Sequence, residues 1–545
     1  MMGREASDAR LAWAGRKWAG TGPWGRARLS APLTEADMPE YTAPGVYIEE
    51  IERGPRPIEG VPTSTAAFLG ETERGPSRPL LVTSYAEYER YFGGDCGPGK
   101  HLPYAIAGFF ENGGRRACIC RIAGAGAARA TQAFGGLGLE ALGTGQWGNR
   151  LLVRVSESMA GSGPDQAPAG FRLQVAYWKT LPSGAPPDPF ADPPSGPPPT
   201  AMEEFEDLAW DDPESGNFYA RRLQAQSTLI RATPDSVLAE APAAGSAPLT
   251  GGSDGAEPGV ADYRGGDGES HGPSGLAALD LEAFRDVALV AAPAASEEVA
   301  AAVCDHCERN RFRFAVIDPP PGQGEVAALD PRSRLETDYA AFYYPWVSVP
   351  DRYHGGTKWV PPSGHVLGLY ARTDEERGVW KAPANEVLRG VVGLEFALTN
   401  AAQEALNPRG VNAIREFPGR GIRVWGARTL SGNTLWKYVS VRRLFMFIEQ
   451  SIYEGTQWVV LEPNDERLWE RVRDSIRLFL RSQWRSGALT GRTEEQAFFI
   501  SCDRSTMTQD DLLAGRLICE IGLAPARPAE FVIFRIFQHT AEAQG

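Results

Sequence analysis

The chain is 545 residues long, with 42% hydrophobic and 23% charged residues, a net charge of −14 and seven cysteines. This composition excludes whole-chain disorder, and the acidic balance argues against sequence-independent binding to a phosphate backbone, which needs clustered Lys and Arg. No apolar run reaches the roughly 20 residues needed to cross a bilayer and no secretory segment opens the chain, so membrane insertion is not expected and assembly is expected in the cytoplasm.

Residues 1–37 scatter Trp13, Trp18 and Trp24 among Gly, Ala and Arg. They read as a disordered extension or a start-site artefact, with Met38 as the true start. Glu5, Asp8, Glu35 and Asp37 argue against a transit peptide. Residues 44–51, bounded by prolines, carry Val46, Tyr47, Ile48 and Ile51 in an extended pattern. Residues 61–70 predict a buried strand and residues 84–92 a short helix capped by Ser84. Residues 104–112 predict a helix with Ala105, Ile106, Phe109 and Phe110 on one side. On the predicted strand 117–122, Cys118 and Cys120 share a face.

Residues 151–155 and 171–178 predict an antiparallel pair of strands. Nine prolines between 182 and 199 exclude packed helix or central sheet there, and residues 234–275 are rich in Gly and Ser. The segment 124–275 therefore reads as an exposed, more β-rich insertion. Order returns with strand 287–292, helix 295–310 and strand 312–318, the spacing of a parallel crossover. An aromatic strand follows at 339–346.

From Gly421 the pattern is most regular. A strand over 423–429 precedes a helix with Val441, Leu444, Phe445, Ile448 and Ile452 on one face, and residues 458–461 predict a strand. Asn464 is expected to cap a long helix with Leu468, Val472, Ile476, Phe479 and Leu480 inward. Strands are predicted at 496–502 and 517–523. Residues 531–538 carry Phe531, Val532, Ile533, Phe534, Ile536 and Phe537, a strand with two apolar faces. Left unpaired, it would template aggregation, so something must cover it. The expected fold class is mixed α/β (α+β), multidomain. Its parts are an N-terminal arm (38–58), the first part of the core (59–123), the insertion (124–275), a middle α/β domain (276–420), a C-terminal core domain (421–530) and a C-terminal arm (531–545).

Three motif matches fail on context. Residues 143–148 fit G-x-G-x-x-G, but the strand follows the glycines instead of preceding them. Residues 251–255 fit G-x-S-x-G around Ser253, yet the flanks offer no strand–turn–helix elbow, and a tight turn accounts for the glycines. Cys304 and Cys307 flank His306 without a second ligand pair, and read as thiols packed on the sheet. No catalytic residue, cofactor or metal site is expected.

Several stretches resemble the contractile tail sheath family of phage tails, tailocins and contractile injection systems. They are residues 41–50, 61–70, 251–255, 441–445, 455–465, 506–509 and 528–532. The resemblance implies a structural subunit, not an enzyme, that polymerises with copies of itself around an inner tube and meets baseplate and tail-terminator proteins. It implies that the arms, through Val46 to Ile51 and Phe531 to Phe537, add strands to a sheet of neighbouring subunits. On the polar side of the long helix, Glu466, Glu470, Arg473 and Arg477 are assigned to face the tube, with a solvated helix face as the alternative. The competing functional reading is a serine hydrolase using Ser253.

Overall fold

Short runs of apolar residues without polar alternation are what strands buried on both faces require. Six of them pair in parallel: Ala117–Arg121, Ala66–Gly70, Leu289–Ala291, Phe314–Ile317, Ala340–Tyr344 and Val411–Phe417, in that order across the sheet. Antiparallel strands close the edges, Leu80–Val82 on one side and Gly421–Val424 with Glu386–Val387 on the other. The computed structural model describes residues 56–158, 170–181, 187–233, 237–266 and 273–535. The predicted arm residues Val46, Tyr47, Ile48, Ile51, Ile536 and Phe537 lie outside the described residues, as do residues 1–37.

Successive side chains on these strands go to opposite faces. Phe68, Ile119, Leu289, Phe314, Val316 and Tyr343 pack with the helices Leu102–Glu111 and Ser363–Arg377. Ala67, Cys118, Cys120, Val290, Ala315 and Phe342 pack with Val303, Cys304 and Cys307 of the helix Glu297–Asn310. That helix joins two adjacent parallel strands, as the crossover spacing predicts. The first two helices cross closely because Gly364 and Gly368 carry no side chain: a Cβ there would lie 2.2 Å from the Ala105 carbonyl oxygen and 2.4 Å from that of Phe109.

Residues from Ala130 to Leu249 hold a core of their own. It lies between a three-stranded sheet (Thr131–Phe134, Leu137–Ala141, Ile230–Thr233) and a four-stranded one (Gly245–Pro248, Leu151–Glu157, Phe171–Tyr177, Ala201–Leu208), both antiparallel. The predicted antiparallel pair is the centre of the second sheet.

In the C-terminal part, the helix Val439–Gly455 packs Leu444 and Ile448 against Leu468, Val472, Ile476 and Phe479 of the helix Glu466–Arg485. A hairpin of Phe498–Ser501 and Glu520–Leu523 closes this core. Two expectations are corrected. Residues 458–461 do not form a strand: Gln457–Val459 is a turn of 3-10 helix, and Leu461 adopts φ +68°, which no strand allows. The long helix is capped by Asp465, whose carboxylate accepts the Leu468 N–H. The Asn464 side chain instead accepts the Trp469 indole N–H at 2.8 Å.

Candidate functional site

At both margins of the described residues the chain is held by polar anchors. At the C-terminal end, Glu530 is held by residues from three segments. Its Oε1 accepts from Arg428 Nε (2.6 Å) and Asn407 Nδ2 (3.1 Å), and its Oε2 from Lys437 Nζ (3.1 Å) and the Tyr438 hydroxyl (3.0 Å). Burial would raise the pKa of this carboxyl, but the bonds from Asn407, Lys437 and Tyr438 and the Arg428 charge outweigh it and hold it below the ordinary value. Beyond the clamp, Phe531, Val532, Ile533 and Phe534 are 68–84% exposed and unpaired within the described residues. Segment 526–532 also lines a groove of about 1290 Å³, whose other wall includes Arg377, Lys381 and Arg415.

At the N-terminal end, Ile58 is buried beside Gly455 in the C-terminal core. The Val61 amide donates to Ser451 Oγ (3.1 Å), and Thr63 donates to Asp374 (2.7 Å) while its carbonyl accepts from Arg443 (3.0 Å). The chain thus reaches its first central strand along the helix Val439–Gly455.

In the same core as Ile58 lies the hairpin Phe498–Ser501 and Glu520–Leu523, a two-stranded sheet that no other described strand extends. Phe498, Ile500 and Cys502 turn toward the core, while Phe499 is 60% exposed on the outer face. Two-stranded sheets are marginal in water on their own and gain from an added strand; just beyond the second strand of this one, Leu489 bridges to Pro525.

Of the four helix residues assigned to the tube, Glu466 pairs with Arg504 and Arg477 with Glu494 (3.4 Å). Arg473 is half-buried and its charge acts on Cys502, Asp503 and Cys519, which places it against the hairpin. Glu470 is exposed. Sequence reasoning brought out Phe531 to Phe534 but not their anchor. The signal available for Glu530 was its place in the 528–532 stretch, whereas Asn407, Arg428, Lys437 and Tyr438 are 92 to 123 positions away.

The motif matches stay structural. Ser253 Oγ accepts from the Gly255 amide inside its own turn (3.2 Å), the Ser253 backbone bridges to Ala128, and the next helix, Val260–Arg264, begins only seven residues on. Gly145, at φ +127°, leads into the 3-10 turn Gln146–Arg150 and then a strand. Burial pushes the Cys304 thiol up to about 12 and Cys307 up as well, and His306 is buried against Arg313 at 2.9 Å. Among the described residues no cluster of His, Cys, Asp or Glu could hold a metal ion, and no helix is long and apolar enough to cross a membrane.

Two family models match the chain, the phage tail sheath protein central domain over residues 265–430 and the phage tail sheath C-terminal domain over residues 431–539, together just over half of it. A prophage major tail sheath protein of Pseudomonas aeruginosa is 25% identical over 46% of this chain and 64% of its own length. The tail sheath protein of Burkholderia phage BcepMu is 29% identical over 40% of this chain and 48% of its own. The chain thus spans less than two thirds of these curated relatives. The fold matches the contracted-state sheath complex of PVC, an extracellular contractile injection system, with a TM-score of 0.56 and 24% identity over 92% of this chain and 99% of that one.

Proposed function

Because this chain belongs to the phage tail sheath family, we propose that it is the structural subunit of a contractile sheath, polymerising with copies of itself around an inner tube and contracting to drive that tube through a target envelope. The observation that carries this reading is the bare apolar extension Phe531–Phe534, rooted by the Glu530 clamp, in a chain that also holds a two-stranded sheet no other described strand extends. An extended segment that adds a strand to a neighbour gains main-chain hydrogen bonds and covers its apolar side chains at once. Such a joint tolerates rotation of the bodies it links, which contraction requires.

In this reading the arm Phe531 to Phe537, and the opposite arm with Val46, Tyr47, Ile48 and Ile51, join the Phe498–Ser501 and Glu520–Leu523 hairpins of neighbouring subunits. The inner tube, the baseplate and the tail terminator are the other partners. Glu470 and the exposed side of the 466–485 helix are offered to the tube, and Arg473, turned to the hairpin, contributes least. No turnover is assigned: Ser253 is held in its turn for shape. The parts bounded at 38, 59, 124, 276, 421 and 531 are the bodies that contraction would move.

The test is a chain lacking residues 531–545, purified as a folded subunit and imaged by electron microscopy alongside the full chain under assembly conditions. Tubes from the full chain and none from the truncation are expected. Normal tubes from the truncation would sink the arm assignment.

A further inference from the structure

The hairpin's register places two of the seven cysteines face to face. Phe498 pairs with Leu523, Phe499 with Gly522, Ile500 with Ile521 and Ser501 with Glu520, so the next step puts Cys502 opposite Cys519. Both belong to the inward ladder that runs Phe498, Ile500, Cys502 on one strand and Leu523, Ile521, Cys519 on the other. Directly opposed antiparallel residues have Cα atoms about 4.5–5.5 Å apart, inside the roughly 4.4–6.8 Å that a disulfide spans. The two thiols act on each other and the Arg473 charge acts on both, so Cys502 is held below the ordinary thiol value while Cys519 is held above it. Cys502 is buried and Cys519 half-exposed, which gives a small oxidant a path to the pair. Three other buried thiols, those of Cys120, Cys304 and Cys307, are pushed up.

We infer that Cys502 and Cys519 are an oxidisable dithiol, a modification site at which a peroxide forms a cross-strand disulfide that staples the hairpin. The Cys502 thiolate attacks one oxygen of hydrogen peroxide, giving a sulfenic acid and hydroxide. The Cys519 sulfur then attacks that sulfenic sulfur, the S–S bond forms and the hydroxyl leaves. Two thiols and one peroxide become one disulfide and two waters, and the two electrons lost by sulfur reduce the peroxide. The thiolate partner is the buried one of the pair, so the oxidant reaches it past the partly exposed Cys519. Its consequence for assembly rests on the sheath reading: a stapled hairpin would present fixed edges to incoming arms.

The two cysteines fall in different tryptic peptides, residues 493–504 and 517–535. Purified full-length subunit is treated with hydrogen peroxide, alkylated in denaturant, digested and analysed by mass spectrometry. The expected result is a linked pair of these peptides that dithiothreitol separates, with Cys118 and Cys304 still alkylated. In Cys519→Ser the link is absent and Cys502 is found as sulfinic acid. Free alkylated Cys502 and Cys519 after peroxide, or oxidation of Cys118 and Cys304 at the same rate, would overturn the inference. The chemistry is read on unassembled subunits, so its failure leaves the sheath reading intact. Reduced wild-type chain that forms no tubes would overturn the sheath reading and leave the dithiol standing.

Discussion

Arg443 and Asp374 form a bidentate ion pair, with separations of 2.9 and 2.6 Å and side chains only 4% and 5% exposed. The guanidinium also lies over the Tyr370 ring, 4.9 Å from its centroid, and Thr63 bonds to both partners. One buried pair therefore joins the helix Val439–Gly455, the helix Ser363–Arg377 and the segment leading into the first central strand.

Removing one partner strands the other charge out of water. Asp374→Ala is expected to cost roughly 3–5 kcal/mol in urea unfolding of the isolated subunit. The double replacement Arg443→Met with Asp374→Leu should recover more than half of that loss, since it leaves no unpaired charge. A double variant as weak as the single one would mean that packing on Tyr370, not charge, is what the pair provides.

The Glu530 clamp should matter for assembly more than for folding. It lies at the edge of the fold with a side chain 20% exposed, so Glu530→Gln is expected to cost about 1 kcal/mol or less of subunit stability. Tube formation should fall much further, because the direction in which Phe531 leaves is no longer fixed. The folded-state pKa is depressed, so the clamp's contribution is present above the unfolded value of 4.5 and is lost as pH falls through the folded one. Amide exchange at residues 529–532 should be slower in wild type than in Glu530→Gln at neutral pH. That difference should shrink below pH 4.5.

Much of the fold could be read in the sequence because its signals are local. The crossover of strand, helix and strand between Leu289 and Ile317 followed from spacing, and the inward face of the 466–485 helix from the recurrence of Leu468, Val472, Ile476 and Phe479. Residues 458–461 misled because Trp and Val favour strands by composition, while their backbone is set by a tight turn ending in left-handed Leu461. The anchors at Glu530 and Arg443 left no local trace, since their partners lie far off in the chain. Residues 531–534 read as strand by composition, whereas in the structure they form none and stay exposed.

Asp318 gives a second pH effect of opposite sign. It sits at the end of a central strand and accepts from the Ser363 amide (2.8 Å), the Ser363 hydroxyl (2.6 Å) and the Ala294 amide (3.3 Å). Burial pushes it from 3.8 up to about 7 despite those bonds. The folded protein therefore holds this proton more tightly than the unfolded chain. The stabilisation is full below 3.8 and is lost as pH rises through about 7, with an upper bound of about 4 kcal/mol. Asp318→Asn should flatten the fall in Tm between pH 5 and 8. A profile as steep as that of wild type would assign the slope to another group.

Leu461 offers a test of strain on the outside of the fold. It is fully exposed and holds φ +68°, a conformation that costs a non-glycine residue roughly 1–2 kcal/mol. Leu461→Gly relieves that strain, but the added freedom of the unfolded chain offsets about 0.4–1 kcal/mol of it. The isolated subunit should therefore gain up to about 1 kcal/mol, because the side chain removed packs against nothing in the core. Val460 beside it is also exposed, so the pair presents an apolar tip that the subunit's own packing does not use. If that tip serves assembly, Leu461→Gly subunits will unfold later than wild type and form fewer tubes. A fall in the stability of the isolated subunit would instead show that the side chain is anchored and that the strain account is wrong.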